Sequence, residues 1–341
     1  MATQNQNDTK KVAMNSLIDR ENRHLNYLRI SITDRCNLRC LYCAPDGRIP
    51  RLPHTQILSY EEILRIVNIG IGLGISKIRI TGGEPLVRKG AIDLLRRLTA
   101  IPQLKDVSLT TNGVLLEANA QRIFDAGIRR INVSLDSLQR ERYAHITGYD
   151  MFDRVWAGIQ RAHEIGFAPI KINIVAMRGI NDDEIIDFGK LSLTYPFHIR
   201  FIEYMPIGNS RTRSRDQILT PEIQDRIQAL GELIPVENGQ NDGPARRFRI
   251  AGAPGEIGFI SALSHHFCDR CNRLRLTADG KLRACLLSDH YEPFRETLRN
   301  GGTDEQLINI FKTAVSKKSA KHQLCSDDSQ PVRDQMQGIG G

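Results

Sequence analysis

The sequence predicts an α/β protein built on a parallel β-sheet, because short apolar strands alternate with amphipathic helices within residues 25–235. Six strand–helix units follow one another, and such alternation produces parallel strands joined by right-handed crossovers. Buried parallel strands are normally continuous apolar runs, yet Arg29, Arg79 and Lys171 stand at strand centres. Six units are too few for a closed eight-stranded barrel, so the pattern leaves a partial barrel and a doubly wound sheet open.

The predicted elements begin with an alternating strand that leads directly into a cysteine-rich loop. Ser59 and Glu62 form a capping-box signature, which predicts the start of a helix that continues through Ile71. Thr220 and Pro221 predict the start of the last helix of the alternating region. The predicted strands are 27–33, 77–81, 107–110, 131–135, 170–176 and 199–204, and the other predicted helices are 115–126, 151–165 and 182–193.

Composition changes at both ends of this alternating region. Residues 1–24 are polar and predict a mobile N-terminal arm, and residues 25–235 form the predicted α/β domain. After residue 235, glycines and prolines separate short apolar runs, which predicts a smaller α+β region over 236–341. This region contains a second group of cysteines and ends in a polar tail with Gly340 and Gly341.

Composition and charge exclude several classes of protein. The chain of 341 residues is 40% hydrophobic and has no run of about 18 apolar residues, the length that a membrane helix needs. Its polar N-terminus lacks the apolar segment of a signal peptide, so we expect a cytoplasmic protein without membrane contact. The net charge of +8 predicts an anionic partner. Because basic blocks are short and aromatics make up 6% of residues, a multiply charged small molecule fits this charge as well as nucleic acid does.

The first cysteine set, Cys36, Cys40 and Cys43, occupies one short stretch of sequence. In a reducing compartment, clustered cysteines favour metal binding over disulfides. Zinc normally takes four ligands and iron–sulfur cubanes usually take four cysteines, so three thiolates would leave one cluster iron open to a small molecule. The alternatives are a zinc site completed from elsewhere and a buried stripe on one helix face, although the flanking Asp34 and Pro45 favour a loop.

The second set, Cys268, Cys271 and Cys285, again provides three thiolates. A C-x2-C pair with a later cysteine is typical of zinc sites, in which a nearby histidine would be the fourth ligand. The candidates are His265, His266 and His290. The same three thiolates also fit a second cluster with an open iron. The segment Arg273-Leu274-Arg275, just after this set, is an additional anion-binding candidate.

Charged residues at strand centres predict a cavity that binds an anion. A buried cation is costly unless it meets an anion, and the fork of an arginine side chain matches phosphate oxygens. Arg29, Arg79 and Lys171 could therefore converge on a chain of phosphates. The alternative is that they pair with carboxylates such as Glu84 or Glu203.

Residues at the carboxyl ends of the strands predict further ligand contacts. Barrel enzymes place their sites at these ends, where Thr110 and Ser134 occur in this sequence. Met205 follows the sixth strand, where a methionine is more often a core residue than a ligand contact. The paired Gly82 and Gly83 follow the second strand directly, and such a pair lets the backbone approach a ligand closely.

These motifs resemble those of a known enzyme superfamily. C-x3-C-x2-C with an aromatic residue before the third cysteine resembles the signature of radical S-adenosylmethionine (SAM) enzymes, and Gly82-Gly83-Glu84 resembles their SAM-binding GGE motif. From about Asn26 to Gly341 the chain is similar to the GTP 3′,8-cyclase family. The distinctive features are the second cysteine set, the double-glycine end, and the runs 271–277 and 200–203.

The resemblance implies a fold and a chemistry. The fold would be an incomplete (β/α)6 TIM-like barrel, the radical SAM core, followed by a smaller C-terminal α+β iron–sulfur region. Two [4Fe–4S] clusters would act with SAM, and a 5′-deoxyadenosyl radical would take a hydrogen atom from ribose C3′ of GTP. Attack on guanine C8 would give (8S)-3′,8-cyclo-7,8-dihydroguanosine 5′-triphosphate, in the first step of molybdopterin and molybdenum cofactor biosynthesis.

The resemblance also implies roles for individual residues. The two cysteine sets would hold the two clusters. The SAM contacts would be Tyr42, Gly83, Ser134 and Met205. The GTP contacts would be Arg29, Arg79, Thr110, Lys171, Arg273, Leu274 and Arg275. The catalytic group would be Arg273 and Arg275 with the tail residues Gly340 and Gly341.

Partners follow from the same resemblance. We expect a homodimer that binds GTP and SAM and no nucleic acid, receives electrons from a flavodoxin or ferredoxin, and supplies the next enzyme of the molybdopterin pathway. One alternative is another two-cluster radical SAM enzyme, such as a peptide maturase. The other is a zinc-stabilised nucleic-acid-binding protein.

Overall fold

Six parallel strands in chain order form the centre of the fold. The computed structural model describes residues 16–44, 51–208, 217–237, 239, 243–322, 332 and 334–340. Each of the six strands pairs in parallel with the next, and the predicted bounds differ from the observed ones by at most two residues. The strands are β1 (Tyr27–Ser31), β2 (Lys77–Thr81), β3 (Asp106–Thr111), β4 (Ile131–Ser134), β5 (Ile170–Ala176) and β6 (His198–Glu203).

Helices connect these strands. The capping box of the first helix is confirmed, since the amide of Glu62 donates to the Ser59 hydroxyl and the amide of Ser59 donates to the Glu62 carboxylate. The helices are α1 (Tyr60–Gly72), α2 (Ala91–Thr99), α3 (Leu116–Asp125), α4 (Arg140–Thr147), α5 (Phe152–Ile165) and α6 (Ile185–Thr194).

Two of these helices, α2 and α4, had no predicted bounds. Helix α2 has nine residues and starts after Gly90, which has a φ of 81°. Glycine has no side chain to cap the helix, so the sequence contains no capping signal at this point. Helix α4 buries Tyr143, Ile146 and Thr147 and is otherwise polar, so its apolar periodicity is weak. Helix α4 is therefore stabilised by tertiary packing more than by its own sequence, whereas α2 buries five of its nine residues at helical spacing and could have been predicted.

Alternation along the strands separates an apolar face from a polar one. Leu28 and Ile30 of β1 belong to the hydrophobic core, together with residues of α1 such as Ile63. Tyr27 and Arg29, between and beside them, line a central cavity. Charged strand residues therefore face the inside of the barrel, while the apolar ones pack against the helices.

The C-terminal strands extend the same sheet at both edges. They are β7 (Leu233–Val236), β8 (Arg246–Ile250), β9 (Glu256–Ile260), β10 (Arg273–Leu276), β11 (Lys281–Arg283) and β12 (Glu292–Pro293). The order is β12-β11-β10-β1-β2-β3-β4-β5-β6-β9-β8-β7. Because β1 to β6 follow chain order without the reversal of a doubly wound sheet, the incomplete barrel is confirmed. The predicted division at 235–236 falls within β7.

The remaining helices lie in the C-terminal region. They are α7 (Thr220–Ile227), α8 (Arg295–Arg299), α9 (Asp304–Ser316) and α10 (Met336–Ile339). Helix α7 begins at Thr220 with Pro221 in its first turn, as predicted. Among the described residues, every helix is too short or too polar to span a bilayer.

The N-terminal segment packs against the body of the protein from residue 16. Leu17 and Leu25 are in the hydrophobic core, and Asp19 and Arg23 form a buried ion pair at 2.6 Å. The prediction of a mobile arm is therefore wrong for residues 16–24, where Asp19 and Arg23 are paired with each other and Arg23 also donates to backbone carbonyls of the C-terminal region. Residues 1–15 of the predicted arm lie outside the described residues.

Candidate active site

One cavity inside the barrel is lined by both cysteine sets. Its wall includes all three cysteines of the loop after β1 and all three of the C-terminal region. The six are free thiols and are half-buried. Two sets that are far apart in sequence therefore face the same space.

The two sets lie at opposite ends of this barrel. Strands β1 and β10 are parallel neighbours, with Tyr27 opposite Arg273. The first set follows the carboxyl end of β1, whereas Cys268 and Cys271 precede the amino end of β10. Strand β11 runs antiparallel to β10, so Cys285, which follows it, returns to the amino end. The two ends of the five-residue β1 are roughly 13 Å apart at about 3.3 Å per residue.

Hydrogen bonds fix the loop that carries the first set. The amide of Leu38 and the side-chain amide of Asn112 donate to Sγ of Cys36, at 3.4 and 3.6 Å. Arg39 donates to the carbonyl oxygen of Cys36 at 2.9 Å. The amide of the third cysteine donates to the carbonyl of the second at 2.9 Å, which closes a turn. The donors to Sγ lower the pKa of the Cys36 thiol, but burial outweighs them and leaves that pKa raised, so the thiolate, which is the form that binds metal, is not favoured by the protein alone.

The paired glycines pack directly against this loop. The amide of Gly83 donates to the carbonyl of Thr33 at 2.7 Å, and the amide of Glu84 donates to that of Arg35 at 2.8 Å. A Cβ atom at Gly83 would overlap the backbone of Arg35. Glycine is therefore required here for the close approach of β2's end to the cysteine loop, in addition to any contact with a ligand.

Two buried carboxyls stand beside the first set. Burial raises the pKa of Glu84 to about 7 and that of Asp136 to about 6. Glu84 accepts hydrogen bonds from the amide of Asn112 at 2.6 Å and the hydroxyl of Thr111 at 2.8 Å. Asp136 accepts from the phenol of Tyr42 at 2.6 Å, so this predicted SAM contact is held in place by a carboxyl. A cationic group bound at this end would favour the ionised carboxylates.

The second set has cationic surroundings instead. Nζ of Lys318 lies 3.6 Å from Sγ of Cys271 and donates to the carbonyl of Arg273 at 3.1 Å. Burial alone would raise the pKa of Cys271, but Arg273 and Lys318 lower it to about 6. Arg23 of the N-terminal segment donates to the carbonyl of Cys268 at 2.5 Å. Positive charge therefore favours the thiolate of Cys271 before any metal binds.

Each set supplies three thiols, and thiolates are the ligands that iron–sulfur cubanes take. In a cubane each cysteine binds a different iron, so the sulfurs need not converge on one point. Zinc needs its sulfur ligands about 2.3 Å from one ion, and among the described residues no three His, Cys, Asp or Glu side chains are placed to hold a single ion. His265, His266 and His290, the candidates for a fourth zinc ligand, are exposed.

Arginines line the cavity between the two ends. They come from four different strands, as lumen positions of a barrel allow. Arg275 is 4% exposed, and burial together with Arg29 and Arg273 holds its pKa well below the usual range. Such a cluster is costly unless an anion is bound among the guanidinium groups. The five are Arg29, Arg79, Arg200, Arg273 and Arg275.

Two residues of the predicted GTP set are buried and are absent from the described cavity lining, although Lys171 is on the same face of β5 as the lining residues Asn173 and Val175. Lys171 lies in β5 and is 4% exposed, and it does not belong to the described lining. Leu274 is in the hydrophobic core, because alternation along β10 turns its side chain opposite to those of Arg273 and Arg275. A contact between Leu274 and a ligand in the cavity would be limited to its backbone.

The other predicted contacts lie on the cavity wall or enter it. Gly83, Thr110, Ser134 and Met205 all belong to the lining. Arg275 donates to the carbonyl of Gly340 at 2.9 Å, which places the C-terminal tail inside the barrel. Gly340 has a φ of 79° and lies so close to Ser31 and Thr81 that a Cβ atom would overlap them. Gly341 lies outside the described residues.

Sequence reasoning missed four residues of this site. Arg200 carried the same signal as Arg29, a charge at the centre of an apolar strand, and could have been found. Tyr27 is an ordinary strand residue by its pattern. Arg23 and Lys318 gave no signal, because the tertiary fold alone brings them to the second set.

The barrel and its first cysteine loop define a class of protein. An open barrel of parallel strands with C-x3-C-x2-C after its first strand is the arrangement of the radical SAM superfamily. The family model described as "Radical SAM superfamily" matches residues 30–191, and that described as "Molybdenum Cofactor Synthesis C" matches residues 197–324. In fold, the chain is similar to Streptococcus suis SuiB bound to S-adenosylmethionine, with a TM-score of 0.59, 17% identity, and coverage of 83% of this chain and 65% of that chain.

Close relatives narrow the class. GTP 3′,8-cyclase of Thermodesulfovibrio yellowstonii is 49% identical over 325 residues, which cover 95% of this chain and 99% of the relative. That of Moorella thermoacetica is 48% identical over 319 residues, which cover 94% and 98%. The chain belongs to the GTP 3′,8-cyclase family, and the predicted family is confirmed. Membership favours this reading over a peptide maturase or a zinc-stabilised nucleic-acid-binding protein.

Proposed function

We propose that this chain converts GTP to (8S)-3′,8-cyclo-7,8-dihydroguanosine 5′-triphosphate in molybdenum cofactor synthesis. The observation that carries this proposal is one cavity that is lined by three cysteines at each end and by five arginines between them. A triphosphate would meet the arginines, and a cluster at each end would be held by three thiolates. The names and near-complete coverage of the relatives support the same activity.

The residues at the first end would hold the group that starts the reaction. Cys36, Cys40 and Cys43 would bind a [4Fe–4S] cluster, and an iron without a protein ligand would be available to SAM. When bound, this pair supplies a carbon-centred radical that can take a hydrogen atom from a ribose carbon. Glu84 and Asp136 would stabilise the positive charge of SAM, since both are buried beside this set.

The remaining residues would hold the substrate and orient it. Cys268, Cys271 and Cys285 would bind a second [4Fe–4S] cluster, whose open iron would face guanine. Arg29, Arg79, Arg200 and Arg275 would bind phosphate oxygens and thereby fix the ribose between the two ends. The wall formed by the barrel and by the tail at Gly340 would keep water from the reacting carbon atoms.

Further proposals concern the partners. We propose a cytoplasmic homodimer, a flavodoxin or ferredoxin as the reductant, and the next enzyme of the molybdopterin pathway as the recipient of the product. Domain limits of 25–235 and 236–341 and the SAM contacts Tyr42, Gly83, Ser134 and Met205 also belong to this proposal.

Substrate-dependent cleavage of SAM tests the function. Anaerobically purified protein with dithionite and SAM should release 5′-deoxyadenosine when GTP is present and form the cyclised nucleotide in parallel. Guanosine and ATP are the controls, and neither should support release comparable to that with GTP. Release that needs a peptide, or protein that contains zinc in place of iron, would contradict the proposal.

A further inference from the structure

Tyr27 begins β1 on the cavity wall, at the end where the second cysteine set lies. The residue is 2% exposed. Its hydroxyl is buried and has no hydrogen-bond partner among the described residues. A buried donor without a partner destabilises a fold. Its presence in a ligand cavity therefore indicates that a bound ligand accepts its hydrogen bond.

The surroundings of the Tyr27 ring are cationic. Nζ of Lys77 lies 4.6 Å from the ring centroid, and the guanidinium carbon of Arg79 lies 5.7 Å from it. Arg273 is its register neighbour in β10. Lys77 forms an ion pair with Asp106 at 3.4 Å. Because the carboxylate offsets the charge of Lys77, the arginines contribute most of the positive potential at the Tyr27 hydroxyl. A group that accepts a hydrogen bond from this hydroxyl would thus be attracted most strongly if it were an anion.

The acidity of the phenol is in keeping with that position. Burial alone would raise the pKa of Tyr27, but Arg79, Arg29 and Lys77 lower it to about 8. A more acidic hydroxyl is a stronger hydrogen-bond donor toward an anionic oxygen.

We propose that the Tyr27 hydroxyl donates a hydrogen bond to a phosphate oxygen of the nucleotide. This inference rests on the proposed function, since it takes the nucleotide to be GTP. Tyr27 is then a binding residue that adds an uncharged hydrogen-bond donor to the charged donors that the arginines would supply.

Equilibrium binding to the Tyr27→Phe protein tests this. Anaerobic protein with its clusters and without SAM should bind GTP at least about tenfold more weakly than wild type, the loss typical of a hydrogen bond to a charged group. Inorganic tripolyphosphate should lose affinity by a similar factor, because the contact is to phosphate. Tyr195→Phe, a matched change outside the cavity lining, should leave both affinities unchanged.

Each other result has a distinct meaning. Unchanged GTP affinity in Tyr27→Phe would overturn the inference alone, and a loss for GTP without a loss for tripolyphosphate would overturn it by placing the hydroxyl on base or ribose. Lower iron content or a lower unfolding temperature of the unliganded Tyr27→Phe protein would assign the hydroxyl to folding, and so would contradict a ligand contact. Wild-type protein that does not bind GTP would contradict the proposed function and this inference together.

Discussion

The first cysteine set lies beside two buried carboxyls, Glu84 and Asp136, whereas the second lies beside Arg273 and Lys318. Burial, with Cys43 and Asp136 nearby, holds the pKa of Cys40 well above its usual value. The neighbouring cations hold the pKa of Cys271 at about 6. Two motifs of three cysteines thus have opposite electrostatic surroundings at the two ends of one barrel.

The difference indicates which ligand each end can accept. Buried carboxyls favour a cation, such as the ammonium group of SAM, while buried arginines favour the anionic triphosphate. The two sets are alike in one backbone contact. Arg39 donates to the carbonyl of Cys36 at 2.9 Å, and Arg23 donates to that of Cys268 at 2.5 Å. The charged groups around the two sets therefore differ, although an arginine donates to a backbone carbonyl in each set.

Serine substitutions should give the largest effects and should separate the two ends. Cys36→Ser should abolish SAM cleavage, because the first cluster would lose a ligand. Cys271→Ser should weaken GTP binding strongly while SAM still binds. Equilibrium binding of SAM and GTP to each anaerobic variant, with 5′-deoxyadenosine release, measures both. Normal product formation by either variant would contradict the assigned division of roles.

The supporting arginines should differ in their effect on stability. Arg23→Met leaves Asp19 buried without its ion-pair partner, and breaking a buried pair costs about 3–5 kcal/mol. Arg39→Met removes hydrogen bonds to backbone carbonyls, which are worth about 1 kcal/mol each. Urea unfolding under anaerobic conditions gives both free energies.

A double variant serves as the control for this comparison. Replacing Asp19 and Arg23 together, as Asp19→Asn with Arg23→Met, should recover part of the lost stability, because no unpaired charge remains buried. Equal losses for Arg23→Met and Arg39→Met would show that the ion pair adds nothing to the support of the second set.

Thiol reactivity should show the smallest effect and test the electrostatic difference directly. In metal-free protein, the rate of Cys271 alkylation should rise with pH around about pH 6 and should level off by about pH 7, because only the thiolate reacts. Cys40 should stay slow at pH 8, since burial raises its pKa. Lys318→Met should shift the Cys271 profile to higher pH. Mass spectrometry after timed iodoacetamide treatment reads out each site, and coincident profiles would refute the contrast.

Periodicity predicted the strands well because they alternate in a simple way. Arg29 between Leu28 and Ile30 predicted both a strand and its inward face, whereas the choice of an incomplete barrel over a doubly wound sheet came from the family resemblance. Helix α4 could not be predicted because only three of its residues are buried. Three buried residues give too weak an apolar periodicity to identify a helix from the sequence.

The electrostatics of the site could not be predicted in the same way. Cys36 and Cys271 have similar neighbours in sequence, and their different surroundings arise from Glu84 in one case and Lys318 in the other. The polar sequence around Arg23 predicts a mobile arm, because Asp19 and Arg23 meet their partners only in the folded chain.

The iron and sulfide content of the anaerobic protein tests the central claim, two clusters at the two ends of one cavity. Wild-type protein should contain about eight iron and about eight sulfide ions per chain, four of each per cubane. Protein with Cys268, Cys271 and Cys285 all changed to serine should retain about four of each. Wild-type protein with about four irons, or with zinc in place of iron, would contradict the account.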